Sequence, residues 1–228
     1  YTLSKKAAKK SEVNLNTVLD RLECPLITKA EILLALLGKK ISRVFLKKKD
    51  FISLANIYRG QRGLLCSSEC FLNGSSEGLG EYRNSNLLKY PVSYVDTYPK
   101  AQVKSYIARN QDLAYQAFKL DKDHNAGTVF DYPQCCIKYF SNNYTASIKK
   151  YQGDLFRYML VNSFDPGKAL KVNFHSNASL EYFDLGLCWH FPCSIDCKLT
   201  IQRAKFFEGF LLKHNFVLLE KLLGSEIK

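Results

Sequence analysis

Two short segments that combine a proline with closely spaced cysteines constrain this chain more than any other feature. They are Tyr132-Pro133-Gln134-Cys135-Cys136 and His190-Phe191-Pro192-Cys193-Ser194-Ile195-Asp196-Cys197. Proline is suited to the first turn of a helix, so each segment predicts a helix start that carries thiols. The free amides and the dipole of a first turn stabilise negative charge and lower the pKa of a thiol. We therefore expect the four cysteines to meet in one site.

The spacing of these cysteines is compatible with more than one kind of metal site. Cys193 and Cys197 are four residues apart and are expected to share a helix face. Cys135 and Cys136 diverge by about 100° around a helix, and adjacent cysteines rarely bind one zinc ion. An iron–sulfur cluster is larger and tolerates this divergence. The leading prediction is a [4Fe–4S] cluster on three or four of the cysteines, and zinc, with His190 as a further candidate ligand, is the second.

A thiol enzyme without a metal is a third interpretation of the same segments. Cys193 is then the best-placed nucleophile, and His190 is the candidate base that activates it. The other cysteines are interpreted differently, because Cys24, Cys66 and Cys188 each stand among apolar neighbours and are expected to be buried as small hydrophobic residues. Cys70 is left open as a possible companion of Cys66.

Composition limits the class of protein. The chain has 228 residues, of which 46% are hydrophobic, which is enough for a buried core in one domain or in a core with a small extension. No apolar stretch is long enough to span a bilayer, so we expect no membrane insertion. Cysteine usage too dilute for a disulfide scaffold favours a reduced, cytoplasmic protein. The chain starts at Tyr1, and we expect that its natural beginning has been trimmed away.

The net charge of +12 favours a phosphate-rich partner. RNA or DNA is the main expectation, and an acidic protein or an anionic membrane surface is the alternative. The lysines are dispersed along the chain, so the sequence does not identify the residues that contact nucleic acid.

We expect an α+β fold in which an N-terminal helical region, residues 1–62, packs on a helix-rich core with a small β-sheet, residues 63–228. The two regions could also form one continuous domain. Apolar periodicity predicts helices over about 11–21, 29–37 with Thr28 as cap and Gly38 as stop, 42–58, 97–120 and 146–162. A helix that starts at Pro133 is expected to end at 141–143, and the last two helices cover 194–214 and 216–223. Residues 66–90 predict a connector, 121–128 a turn, and 90–95, 170–174 and 180–191 strands.

The two cysteine segments resemble a prokaryotic group called the domain of unknown function 483 family. The resemblance lies in the Tyr-Pro-x-Cys-Cys helix start followed by Phe140, together with the later His-x-Pro-Cys-Ser-x-x-Cys segment, and it covers about residues 106–212. The second segment is also faintly similar to the His-x-Cys-Cys-Ala-Pro-Cys segment of epoxyqueuosine reductases, which are iron–sulfur enzymes that act on tRNA. Order and spacing of the cysteines differ, and no catalytic residue can be carried over.

This resemblance implies an iron–sulfur cluster rather than a particular substrate. The first hypothesis is a cluster-dependent, RNA-modifying enzyme whose basic surface holds tRNA and whose cysteine site carries out redox or sulfur-transfer chemistry. The alternative is a binding module in which zinc on the same cysteines is structural and the positive surface holds nucleic acid or a protein partner. These two hypotheses differ in the metal and in whether the protein is an enzyme.

Overall fold

The structure is a computed structural model that describes residues 15–57, 63–73, 87–91, 102–122, 126–151, 154–163, 173–178, 180 and 185–223. Its elements are α1 (Leu15–Arg21), α2 (Leu26–Leu36), β1 (Ser42–Lys47), α3 (Lys48–Ile57), β2 (Gly63–Asn73), β3 (Leu87–Pro91), β4 (Gln102–Ala108), α4 (Gln111–Lys122), α5 (Ala126–Val129), α6 (Gln134–Tyr151), α7 (Leu155–Ser163), a 3₁₀ helix (Phe174–Ser176), α8 (Lys198–His214) and α9 (Phe216–Leu223). The predicted α+β class is confirmed.

The four described strands form one antiparallel sheet in the order β1-β4-β2-β3. Strand β1 pairs with β4, with Ser42 opposite Ile107 and Lys47 opposite Gln102. Strand β2 pairs with β4 on one side and with β3 on the other. The sheet thus joins β1, from the first predicted region, to strands of the second. The division at residue 62 stays a prediction.

Two of the predicted helices are wrong where the sheet forms. Residues 42–47 of the predicted helix 42–58 are β1, and only 48–57 are helical. Burial alternates along β1, with Ser42, Val44 and Leu46 buried, which is the period of a strand with one covered face. Likewise, residues 102–108 of the predicted helix 97–120 are β4. Helix α4 begins only at Gln111, where the side chain of Asn110 accepts a hydrogen bond from the Leu113 amide at 2.9 Å.

Several predicted boundaries also move. Strand β2 extends to Asn73, into the predicted connector, and residues 74–86 lie outside the described part. Residues 92–95 of one predicted strand lie outside it as well, while 87–91 form β3. The predicted turn at 121–128 instead ends α4 and contains the start of α5. Residues 174–176 are a 3₁₀ helix, and 185–191 join no strand of the described sheet; residues 170–172 and 181–184 are not described.

Helix α6 does not stop at residues 141–143 as predicted but continues to Tyr151. The polar residues there bond back to the helix: Ser141 Oγ donates to the Ile137 carbonyl at 3.1 Å, and Asn143 Nδ2 donates to the Tyr139 carbonyl at 2.9 Å. Serine and asparagine side chains often end a helix by bonding to the backbone in other conformations, but here they bond to carbonyls one turn earlier and the helix continues.

The main core lies between α2, β1, α8 and α9, together with Leu187 and Trp189. Leu33, Leu34 and Leu36 are at most 4% exposed and form part of the buried face of α2. Helix α2 ends at Leu36, and Gly38, two residues later, has a φ of 73°, the left-handed conformation expected of a stop residue. Its predicted start at Thr28 is wrong, because α2 begins at Leu26 directly after Pro25.

A buried cation anchors the segment that leads to the second cysteine pair. Lys40 is 7% exposed, forms an ion pair with Glu31, and places its ammonium group 4.2 Å from the centroid of the Trp189 ring. The ion pair and the cation–π contact offset the desolvation of the lysine. The chain just before His190 is therefore held against the main core. In the described part of the chain, no helix has the length and apolar character needed to cross a bilayer.

Candidate metal centre

The first cysteine pair lies in the opening turn of α6, as predicted. The Pro133 carbonyl accepts hydrogen bonds from the Cys136 amide at 2.8 Å and from the Ile137 amide at 3.0 Å. Proline needs no amide partner at this point, so the helix can start immediately after it. Cys135 is exposed and Cys136 is 2% exposed.

A tight turn places this helix start. Asp131 has a φ of 56°; its amide bonds to the Thr128 carbonyl at 3.0 Å, and the Tyr132 amide bonds to the Gly127 carbonyl at 2.9 Å. This is the hydrogen-bond pattern of a Schellman helix end, in which aspartate is one of the residues that tolerate a left-handed conformation. A Cβ on Gly127 would lie 2.8 Å from Ile137 Cγ1, so only glycine lets α5 approach α6 this closely.

Arg203 of α8 binds this turn. Its Nη2 donates to the Phe130 carbonyl at 2.8 Å, and its Nη1 lies 2.5 Å from a carboxylate oxygen of Asp131. The guanidinium group also lies 5.0 Å from the centroid of the Phe207 ring. The planar fork of arginine suits several acceptors at once, and here it ties the entrance of α6 to the side of α8.

The second cysteine pair does not lie inside a helix, so the predicted helix start at Pro192 is wrong. Residues 193–197 form bends and a turn, in which the Cys197 amide donates to the Ser194 carbonyl at 3.2 Å. Cys197 is the N-cap of α8, which begins at Lys198. The Ser176 hydroxyl donates to the Ile195 carbonyl at 2.5 Å and so holds this turn from outside.

All four predicted cysteines converge. The Sγ atoms of Cys135, Cys136, Cys193 and Cys197 lie within 4.8 Å of one another. The Cys135–Cys136 separation is 3.8 Å, and Cys197 lies 3.7 Å from each of these two sulfurs. These sulfurs are too far apart for disulfides, whose S–S bond is about 2.05 Å, and all four residues are free thiols. The arrangement can bind a metal ion.

Thr200 connects two of these sulfurs to His190. Its hydroxyl lies 3.4 Å from Cys136 Sγ and 3.0 Å from His190 Nε2. Thr200 also bonds to the Cys197 thiol. A hydroxyl donates one hydrogen bond, so Thr200 donates to one thiolate at a time, Cys136 or Cys197, while it accepts from the Nε2–H of His190. Thr200 was not predicted as a site residue. The only sequence signal is its position three residues after the N-cap Cys197, the spacing of a capping interaction.

The thiols of the cluster differ in acidity. Burial raises the pKa of Cys136, and burial with hydrogen bonds to Cys135 and Cys197 raises the pKa of Cys193 to about 12. Burial also opposes ionisation of Cys197, but hydrogen bonds from the Thr200 side chain and amide outweigh it and lower that pKa to about 7. A bound cation would deprotonate all of these thiols, because thiolates are the metal-binding form.

His190 is buried beside the cluster. Burial lowers its pKa to about 3, with further contributions from the charges of Arg203 and Lys40. Its ring stacks on Tyr132 with centroids 5.1 Å apart. A neutral, hydrogen-bonded imidazole supports the site through Thr200. The catalytic roles of His190 and Cys193 stay predictions, and the raised pKa of Cys193 weighs against an activated thiolate there in the absence of a metal.

The remaining cysteines lie apart from this cluster where the structure describes their side chains. Cys188 is 3% exposed and packs with Phe156 and Met159, as expected of a buried hydrophobic residue. Cys24 is partly buried against the main core. The side chains of Cys66 and Cys70 lie outside the described part, so their predictions are not tested.

Fold and site together define an α+β protein with a four-cysteine cluster between α6 and the start of α8. Comparisons of the chain with protein-family models, curated proteins and solved structures find no match.

Replacing Thr200 with valine is expected to weaken metal binding about 10- to 100-fold, the usual cost of losing a hydrogen-bond partner of a metal ligand. Valine keeps the shape of this fully buried residue but leaves His190 Nε2 without its acceptor. Metal affinity is measured by competition with a chromophoric chelator. Thr200→Ser, which restores the hydroxyl, is the matched control and should recover most of the affinity; equal affinities for all three proteins would contradict the role of the hydroxyl.

Proposed function

We propose that the protein binds one zinc ion through Cys135, Cys136, Cys193 and Cys197. The spacing of the sulfurs carries this proposal. Four sulfurs at about 2.3 Å from a tetrahedral zinc ion lie about 3.8 Å from one another, and three of the separations here are 3.7–3.8 Å. The sequence argument that adjacent cysteines avoid a shared ion loses its force when their sulfurs already have this separation.

The [4Fe–4S] cluster predicted from the sequence is the alternative. Its four cysteines bind four different iron atoms, so their sulfurs stand farther apart than sulfurs that share one ion. Because no two of the four sulfur atoms are more than 4.8 Å apart, the geometry favours a single ion. Cysteine sulfur is a preferred ligand of both metals, so the spacing, rather than ligand type, distinguishes them.

In this proposal the ion stabilises the junction between two parts of the fold. One pair of ligands lies in the first turn of α6, whereas the other lies in a segment, 185–197, with no regular helix or strand. Such a segment has few backbone hydrogen bonds of its own, and a structural zinc ion contributes folding free energy directly. The ion would fix this segment against α6.

Metal analysis tests the identity of the ion. Protein purified anaerobically is expected to be colourless and to contain about one zinc ion per chain, bound by four thiolates. If the protein is brown, absorbs visible light and contains iron, the zinc proposal is wrong and the cysteines bind an iron–sulfur cluster. If the protein contains neither metal and has no affinity for added zinc or iron, the metal proposal is wrong and the interpretation as a thiol enzyme without a metal is favoured.

Zinc affinity is expected to rise steeply with pH between about 6 and 8. The pKa of Cys136 is raised and that of Cys193 is about 12, so both hold protons that zinc must displace near neutral pH. Each displaced proton changes the affinity about tenfold per pH unit, which gives about 100-fold per unit from these two thiols alone. Chelator competition at several pH values measures the slope, and an affinity independent of pH would contradict binding by thiolates.

We further propose RNA as the partner of the basic surface. Helix α6 contains three basic and no acidic residues, and α8 contains four basic and one acidic residue, so the two helices carry a net charge of +6. This is half of the +12 of the whole chain. The acidic residue, Glu208, is bonded to His175 Nε2 at 2.8 Å. Positive charge is therefore concentrated on the two helices whose first turns adjoin the cysteine cluster, and it complements a phosphate backbone.

Salt dependence tests RNA binding. The affinity for a bulk tRNA preparation is expected to fall linearly with the logarithm of salt concentration, because each neutralised phosphate releases counterions. No measurable binding at low salt, or affinity unaffected by salt, would overturn the RNA proposal and leave the zinc proposal intact. The redox or sulfur-transfer chemistry of the tRNA-modifying hypothesis remains a prediction, as does membership of the domain of unknown function 483 family.

A further inference from the structure

An open groove of about 560 Å³ runs beside the cysteine cluster. One wall is the entrance of α6, from Tyr132 to Gln134, and the other is the first half of α8, including Leu199 and Phe206. Gln134 directly precedes Cys135, and Leu199 follows Cys197 by two residues. The groove is within the size range of small-ligand sites, about 300–1,000 Å³, and its walls are the elements that the metal centre joins.

Large apolar side chains remain exposed in this groove. Leu199 is 50% exposed and Phe206 is 53% exposed, although the Phe206 ring contacts Phe207 at a centroid distance of 5.5 Å. Apolar side chains grouped in a groove, rather than scattered singly, indicate an interaction site. An aromatic ring with this exposure can stack on a planar ligand.

Cations flank these apolar residues. Lys39, which is exposed, lines the groove. The groove also contains Arg203 and one acidic residue, Asp131, and these two pair with each other. On α8, Lys198, Lys205 and Lys213 are exposed and fall within an arc of about 80° at 100° per residue. Phe206 and Leu199 lie at the edge of that arc, next to the position of Arg203.

The positions of the lysines and apolar residues on α8 distinguish a membrane surface from a single-stranded nucleic acid as the partner. A helix that lies in a membrane interface needs an apolar face separate from its lysines, whereas here the lysines occupy the middle of the exposed face of α8. A single-stranded nucleic acid requires the opposite arrangement, with cations along the backbone and aromatic rings for the bases. The exposed face and the groove match the second description.

We propose that this groove binds single-stranded RNA, with a base stacked on Phe206 and phosphates near Lys39 and the α8 lysines. The inference rests on the proposed RNA binding and specifies its surface and the form of the RNA. In this arrangement the metal centre supports RNA binding by holding the two walls of the groove together.

The test uses the metal-loaded full chain and a fluorescein-labelled oligouridine of about 12 nucleotides, within the usual site size of single-strand binders. Fluorescence anisotropy gives affinity over a range of salt concentrations. Phe206→Ala is expected to weaken binding about tenfold without changing the salt slope, because one stacked base is lost. Lys39→Gln is expected to lower the slope by about 0.7, the value for one phosphate contact on a single strand.

Matched controls come from α4. Tyr115 is an aromatic residue of similar exposure, 58%, and Lys119 is exposed on the same helix. Tyr115→Ala and Lys119→Gln are expected to leave both affinity and slope unchanged. Phe206→Tyr, which keeps the ring, should retain wild-type affinity, whereas Phe206→Leu should not. Melting curves confirm that the variants fold.

The outcomes separate this inference from the proposed function. If wild-type protein binds oligouridine and the Phe206 and Lys39 variants behave like the α4 controls, the groove is not the binding surface, while RNA binding itself stands. If wild-type protein does not bind oligouridine but binds tRNA, a single strand is not the ligand. If it binds neither RNA but binds vesicles containing phosphatidylserine, both the groove inference and the RNA proposal are overturned.

Discussion

Removal of the proposed zinc ion is expected to lower the melting temperature of the protein by about 8–16 °C. With free zinc at about 1,000 times its dissociation constant, binding contributes about 4 kcal/mol to the free energy of unfolding. For a chain of this size each kcal/mol corresponds to about 2–4 °C. The reason lies in the cluster, where the ion would join the first turn of α6 to a segment without regular structure. Calorimetry or circular dichroism with and without a chelator measures the shift.

Restoration by metal is the control for this experiment. Adding zinc in excess of the chelator should return the original melting temperature, whereas adding magnesium should not, because thiolates are poor ligands for a hard cation. A melting temperature unchanged by complete removal of the metal would show that the ion has no structural role. The sulfur geometry would then need another explanation.

Replacing Cys136 or Cys197 with serine is expected to have the second large effect, the loss of stoichiometric zinc. Both side chains are buried, at 2% and 6% exposure, and each Sγ lies within 3.8 Å of two other sulfurs of the cluster. Loss of a ligand should weaken zinc binding well beyond the about 10–100-fold expected for a hydrogen-bond partner of a ligand. The metal content of the purified variants and their melting temperatures provide the measurement.

Cys188→Ser is the matched control, because Cys188 is a thiol of similar burial, 3% exposed, that does not belong to the cluster. Its Sγ donates to the His190 carbonyl at 3.1 Å, a bond that a serine hydroxyl can replace. This variant should keep its zinc. Equal zinc content in the Cys136, Cys197 and Cys188 variants would refute the four-cysteine site.

The convergence of the four cysteines could be predicted from the sequence, because each pair of cysteines follows a proline within a short segment. Pro133 lies directly before α6, and Pro192 lies directly before the bends and turn that contain Cys193. Closely spaced thiols beside such prolines favour a shared metal or reactive site. The first helix start follows from proline alone, since Pro133 supplies the first carbonyl acceptors of α6. For the second, proline predicted the break in the chain but placed the helix four to five residues too early.

What the sequence did not reveal depends on contacts between distant residues. Strands β1 and β4 have apolar residues that fit a helix period as well as a strand period, and only their pairing across the sheet selects the strand. The spacing of the Cys135 and Cys136 sulfurs also depends on side-chain directions and not on the adjacency of the two residues, so the sequence could not supply the separation on which the zinc proposal depends. Arg203 gave no signal at all, since its acceptors, Phe130 and Asp131, lie 73 and 72 residues earlier.

The buried Trp189 offers a final consequence. It is the one tryptophan of the chain, its ring is 7% exposed beneath the Lys40 ammonium, and it stands next to His190. Its fluorescence emission therefore reports on the conformation of residues 185–197, the segment that contains Cys193. If withdrawal of the ion loosens that segment, the indole gains contact with water and its fluorescence shifts to longer wavelength before the rest of the molecule melts, so local opening can be followed without any attached dye.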